Sequence, residues 1–138
     1  MKTDKQVTGG RGEELARRYL EQKGFRFITA NWKCKAGEID LVMKTPSRSP
    51  LSGRDSLPDK GGSGWVLVFV EVRTRKPTSY GAGYETVAWQ KQKKLSRAGR
   101  WYIQSIKWRG DARFDVVSIT DDGSQEPLIE HIEYAFDA

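Results

Sequence analysis

Two hydrophobic periods alternate along the chain. From about Arg11 to Lys23, the apolar residues Leu15, Ala16, Tyr19 and Leu20 recur at three- and four-residue steps. That is the spacing of an amphipathic helix, and Gly24 ends it. Phe25 to Trp32 then reads as a strand, and a short basic turn over 33–37 leads into a second strand through Gly37-Glu38-Ile39-Asp40-Leu41-Val42. A third strand runs to about Arg73, and its segment Val68-Phe69-Val70-Glu71-Val72-Arg73 is built mostly of β-branched and aromatic residues. The helical period returns from about Thr86 to Ile106, with Ala88, Leu95, Ala98, Tyr102 and Ile106 on one stripe. Arg113 to Ile119 and Leu128 to Tyr134 are the last two strands. The order helix, three strands, helix, two strands places the chain in the α/β class.

The 138 residues suit one domain, and no internal repeat or second domain boundary is visible. Residues 1–10 are polar, end in Gly9-Gly10, and read as a mobile arm. Residues 45–64 are rich in proline, glycine and serine and read as a flexible loop between two strands. A loop tip tolerates such an insertion because closing a longer loop costs little per added residue.

Both central strands carry ionised groups where a buried strand should carry none. Alternation puts Trp65, Leu67, Phe69, Glu71 and Arg73 on one face of the third strand and Val66, Val68, Val70 and Val72 on the other. In the second strand Glu38, Asp40 and Val42 fall together, opposite Ile39, Leu41 and Met43. An unpaired buried carboxylate costs several kcal/mol, on the order of the whole stability margin. The partner of these acids is therefore a metal ion, a cation from elsewhere in the chain, or water at a strand end. Two further residues face the sheet. Glu13 sits at the edge of the first helix's apolar stripe, whereas Glu14 aligns with Arg17, Arg18 and Glu21 on the wet side. Lys91 falls on the second helix's apolar stripe, one turn before Leu95; lysine stems also snorkel, so position alone assigns it no role. Asp115, in a later strand, is explained by a pair with Arg113 or another nearby cation.

Charge sharpens the picture. A net charge of +6 makes nucleic acid or another polyanion a natural partner. The helix segment from Trp89 to Trp101 interleaves basic and aromatic residues, so Lys93, Lys94 and Arg97, with Arg75 and Lys76, form a candidate phosphate-contacting surface. The tryptophans themselves are expected to dock on the core. The single cysteine, Cys34, and single histidine, His131, exclude an internal disulfide and zinc sites of the finger or ribbon type. The longest apolar run, Trp65 to Val70, is far short of the ~20 residues that span a bilayer, and the first residues lack a signal-peptide pattern. A soluble, cytoplasmic protein without membrane contact is expected.

Acids from a helix (Glu13) and two strands (Asp40, Glu71) suit a hard divalent cation, which takes oxygen ligands and leaves room for water and substrate phosphate. Beside a cation such a site can orient water and neutralise charge on a scissile phosphodiester.

The same residues carry a family resemblance. Gly12-Glu13, Asn31, Gly37-Glu38-Ile39-Asp40-Leu41, Val68 to Arg75, Lys91 and Arg113-Phe114-Asp115-Val116-Val117 together resemble the YraN (UPF0102) family of small bacterial proteins. That family is a branch of the restriction-endonuclease-like superfamily that includes archaeal Holliday junction resolvases. The resemblance implies a central mixed sheet flanked by helices and a metal-dependent nuclease acting on DNA, in particular branched or junction DNA. It implies Asp40 and Glu71 as ligands of Mg²⁺ or Mn²⁺, helped by the Val72 carbonyl and joined by Glu13. Arg73 stands where active superfamily nucleases usually carry lysine, and arginine cannot act as a base. Lys91 would then supply the ammonium from the helix, which makes Asp40, Glu71, Arg73 and Lys91 the expected catalytic set. Glu38 is a further ligand or an ion-pair partner. Nuclease relatives often act as dimers, so a homodimer is expected, although nothing in the sequence marks its surface. The alternative is a nucleic-acid-binding protein that has lost turnover and serves DNA processing or recombination on a nuclease fold.

Overall fold

A computed structural model describes residues 4–47, 64–75, 89–120 and 127–136; for residues 4–10 it describes the backbone only. The elements are α1 (Asp4–Gln22), β1 (Arg26–Cys34), β2 (Gly37–Pro46), β3 (Trp65–Arg75), α2 (Trp89–Ile106), β4 (Asp111–Thr120) and β5 (Leu128–Phe136), in the order expected. They form one five-stranded mixed sheet, β1-β2-β3-β4-β5. The β3–β4 pair is parallel, joined by the crossover that contains α2, and the other neighbours are antiparallel.

Each sheet face carries its own core. On one face Ala16 and Leu20 of α1 pack on Leu41, Met43, Val66, Val68, Val70, Val117 and Ile119. On the other, Leu95, Ala98 and Tyr102 of α2 pack on Ile39, Val42, Leu67, Phe69, Phe114 and Val116. The alternation read along β3 is the one observed, with its valines under α1 and Leu67 and Phe69 under α2. Two glycines set how closely the helices approach. A Cβ on Gly12 would lie 2.3 Å from Thr74 Oγ1, and one on Gly99 would lie 2.9 Å from Phe114 Cζ and 3.1 Å from Phe69 Cε2. α1 closes in a left-handed turn at Gly24 (φ 97°), where the Phe25 amide donates to the Leu20 carbonyl at 3.0 Å and the Gly24 amide to Glu21 at 3.1 Å.

Several boundaries differ from the sequence expectation. α1 begins at Asp4, so residues 4–10 of the supposed mobile arm continue the helix. Gly9 and Gly10 each cost about 1 kcal/mol in a helix, less than the nucleation cost already met by the packed stripe behind them. β2 takes in Thr45 and Pro46 of the supposed loop, and residues 48–63 lie outside the described residues, as do Thr86 and Ala88. Ile106 is exposed, and Ile103 packs against the α2-side core in its stead. Among the described residues no helix is long and apolar enough to cross a membrane.

Candidate active site

The simple alternation fails in β2, and the failure makes the site. The β1–β2 ladder pairs Ala30 with Leu41 and Trp32 with Ile39 but skips Asn31 and Asp40. Asn31 has a left-handed backbone, φ 53°, a conformation Asn tolerates better than most residues. Across this step the strands change faces. Ala30 and Leu41 belong to the α1-side core, whereas Trp32 and Ile39 belong to the α2-side core. Glu38, Asp40 and Val42 therefore do not share a face; Glu38 is exposed and stands opposite Lys33.

β2 and β3 part at the same place, since their pairing stops at Leu41 with Val70. The Asp40 carboxylate fills the gap, its Oδ2 accepting the Val72 amide at 2.9 Å. Glu71, one residue earlier on β3, is 6% exposed and lies on the α2 face. Lys91 reaches down from α2 and pairs with Glu71 Oε1, while its own side chain stays half exposed. From α1, Glu13 accepts a hydrogen bond from Asn31 Nδ2 at 2.8 Å. Gly12, buried against Thr74, seats that turn of α1 at the end of β3. The site thus lies at a seam reached by both helices. As expected from spacing, Glu14 and Arg18 pair on the wet side at 2.6 Å and Arg17 and Glu21 at 3.2 Å.

The electrostatics follow from this crowding. Burial pushes the Asp40 pKa up to about 7, and the neighbouring Glu71 charge adds to it. The Val72 amide opposes the shift, Glu13 adds a smaller repulsion, and Asp40 and Glu71 share a hydrogen bond that needs a proton. The Asp40 carboxyl is thus easier to protonate than an ordinary aspartate. Among the described residues no three His, Cys, Asp or Glu side chains stand close enough to enclose an ion as they are. Asp40 and Glu71 form the pair, and Glu13 stands behind Asn31.

Of the other expected residues, Arg73 follows Glu71 on the same face and Arg75 ends β3. Lys93, Lys94 and Arg97 are exposed on α2, and Lys76 lies outside the described residues. Two features escaped the sequence reading. Trp89 and Trp101 are 66% and 52% exposed and do not dock on the core, because α2 turns Leu95, Ala98, Gly99 and Tyr102 inward and carries the two rings on its other side. The second is a buried network on β4 and β5. Asp115, fully buried, lies 3.0 Å from Arg113 Nε, accepts from Arg113 Nη2 at 3.1 Å and from the Tyr134 amide at 3.2 Å, and contacts His131 Nε2 at 2.7 Å. Lys23 lies 2.7 Å from His131 Nδ1; an ammonium can only donate, so Nδ1 accepts and Nε2 carries the hydrogen that faces Asp115. The expected Arg113–Asp115 pair is present; the histidine, far away in sequence, gave no local signal.

Residues 12–119 match the uncharacterised protein family UPF0102. The chain is 36% identical to a UPF0102 protein of Pelobacter propionicus over 135 residues, covering 97% of this chain and 85% of that one. It is 39% identical to a UPF0102 protein of an Arthrobacter species over 129 residues, 93% and 94% of the two chains. A Geobacter sulfurreducens relative is 36% identical over 132 residues, 95% and 89% of the two. The residues that build the seam, from Gly12 and Glu13 through Asn31 and Asp40 to Glu71 and Lys91, lie within the matched segment, and the chain belongs to the UPF0102 family.

Proposed function

We propose that this protein is a divalent-metal-dependent nuclease acting on DNA, with branched or junction DNA as its substrate. The observation that carries the reading is the Asp40–Glu71 pair: two acids brought together where β2 and β3 part, Glu71 buried and Asp40 half-buried with the Val72 amide on its Oδ2. The two acids repel each other, and the Val72 amide answers part of the charge on Asp40. The donor set is all oxygen and anionic, which fits Mg²⁺ or Mn²⁺ and not a soft metal. Asp40 and Glu71 would hold the ion, with the Val72 carbonyl and Glu13 as further oxygen donors. Such an ion would polarise a phosphodiester, orient a water for attack and neutralise the charge that develops.

The chain's own groups do the rest. Lys91 fixes the Glu71 carboxylate and brings an ammonium to the seam, where negative charge develops on a phosphorane. Arg73 offers a guanidinium charge and no base. Lys93, Lys94, Arg97 and Arg75, with Lys76, hold the polynucleotide through its phosphates, so affinity should fall steeply with salt.

A second reading, a DNA-binding protein without turnover, is favoured by one observation: the only ammonium found at the seam among the described residues is already paired with Glu71. Incubating the protein with four-way-junction, flap and single-stranded DNA and Mg²⁺ or Mn²⁺ separates the two. Metal-dependent cutting lost in Asp40→Ala and Glu71→Ala supports the nuclease. Binding without cutting, unchanged in both variants, supports the second reading.

A further inference from the structure

The solvent face of α2 is unusual for its chemistry. The helix carries Lys91, Lys93, Lys94, Arg97 and Arg100 and not one acid. Lys91 turns in to Glu71, and the other four are left to the outside, where Lys93, Lys94, Arg97 and Arg100 are exposed. On the same outer face stand the two exposed tryptophans, Trp89 near the start and Trp101 in the third turn after it. At about 100° and 1.5 Å per residue, Lys93, Arg97 and Arg100 occupy the middle of the wet face. Trp89 and Trp101 then flank them, roughly 18 Å apart along the axis. Lys93 Nζ lies 3.7 Å from the centroid of the Trp89 ring, so a cation and an aromatic face are presented as one unit.

We propose that this face of α2 is a stacking platform for unpaired bases of single-stranded nucleic acid, with Trp89 and Trp101 taking bases and Lys93, Arg97 and Arg100 taking the phosphates between them. Exposed rings spaced among cations are what a single strand requires, because every base has a π-face and every linkage a charge. Duplex DNA offers its bases only as groove edges and has no use for two flat rings. A bilayer surface requires a continuous apolar band, and a protein interface a core depleted of charge. Here cations separate the two rings. The platform rests on the reading that the protein works on nucleic acid, and supplies its substrate class: DNA with a single-stranded arm or gap beside the cleavage site.

The test is equilibrium binding of an oligo(dT) of ~12 nucleotides to the full chain, read by tryptophan fluorescence quenching and anisotropy in EDTA. Without metal no cutting occurs, so failure of the nuclease reading and failure of the platform are separate results. The expected outcome is single-strand binding with quenching, weakened about ten-fold by Trp89→Ala and by Trp101→Ala and largely restored by phenylalanine at either position. Lys93→Gln and Arg97→Gln should each reduce the salt slope by roughly 0.7. Leu128→Ala, which removes an equally exposed apolar side chain from β5, should change nothing. Tighter binding to the matching duplex, or tryptophan variants that bind oligo(dT) as the parent does, would overturn the proposal. So would tryptophan-dependent binding to equimolar phosphatidylglycerol–phosphatidylcholine vesicles with none to the oligonucleotide.

Discussion

Asp40 and Asp115 are aspartates of one sheet, the first half-buried and the second fully buried, and their surroundings are opposite. Asp115 is met by the Arg113 guanidinium, the His131 imidazole and the Tyr134 amide. Burial would lower the Arg113 pKa, yet the Asp115 charge beside it prevails and holds that pKa above its ordinary value. Asp40 accepts the Val72 amide, and the neighbouring charge that acts on it most strongly among the described residues is another carboxylate, Glu71. A carboxylate whose lone pairs and charge are answered by the protein has a structural task. One that faces a like charge is where the proposed cation would be held, and the difference lies in the neighbours and not in the residue.

Substitutions at the two sites should therefore differ in sign. The largest effect is expected for Asp115→Asn, which strands a nearly buried guanidinium: about 3 kcal/mol of stability lost, measured by urea denaturation. Gly99→Ala should cost about 2 kcal/mol, because the new methyl meets the Phe69 and Phe114 rings, and it should lift Lys91 from Glu71 while leaving the Asp115 network intact. A weakened cleavage rate with an unchanged His131 NMR signal would show that separation.

Asp40→Asn should stabilise the metal-free protein at pH 8 by about 1–2 kcal/mol, since one pKa unit corresponds to about 1.4 kcal/mol and the site is partly hydrated. The sign follows from linkage. The folded pKa of about 7 lies above the ordinary value of 3.8, so the folded state keeps a proton that the unfolded chain gives up. Stability contributed by this group is intact below pH 4, falls as pH rises toward 7, and is flat above it. Thermal melts across that range should show the slope in the parent and not in the variant. Lys91→Met, the smallest change, should cost about 1 kcal/mol by leaving Glu71 without its cation, and should raise metal affinity at the expense of turnover.

Much of this could be read before any coordinates. The element order, the faces of β3, the inward Lys91 and the wet side of α1 all follow from periods of 3.6 and 2, which local sequence carries. What escaped depends on events that break a period or join distant segments. The face switch at Asn31 and Asp40 needs a left-handed residue and a skipped ladder pair, and no alternation rule anticipates it. His131 meets Asp115 only because β5 returns beside β4. The exposure of Trp89 and Trp101 runs against the general tendency of rings to dock on a core, because the inward stripe of α2 is filled by Leu95, Ala98 and Tyr102.

The most direct test of the Asp40–Glu71 pair is isothermal titration of Mn²⁺ into the protein at pH 7 in two buffers of different ionisation enthalpy. The account predicts one ion bound with net proton release, with both the binding and the release lost in Asp40→Asn and the binding lost in Glu71→Gln. Asp115→Asn, where it folds, should bind as the parent does. Binding of equal affinity in the parent and in Asp40→Asn, with no proton released, would contradict the claim that this seam is built for a cation.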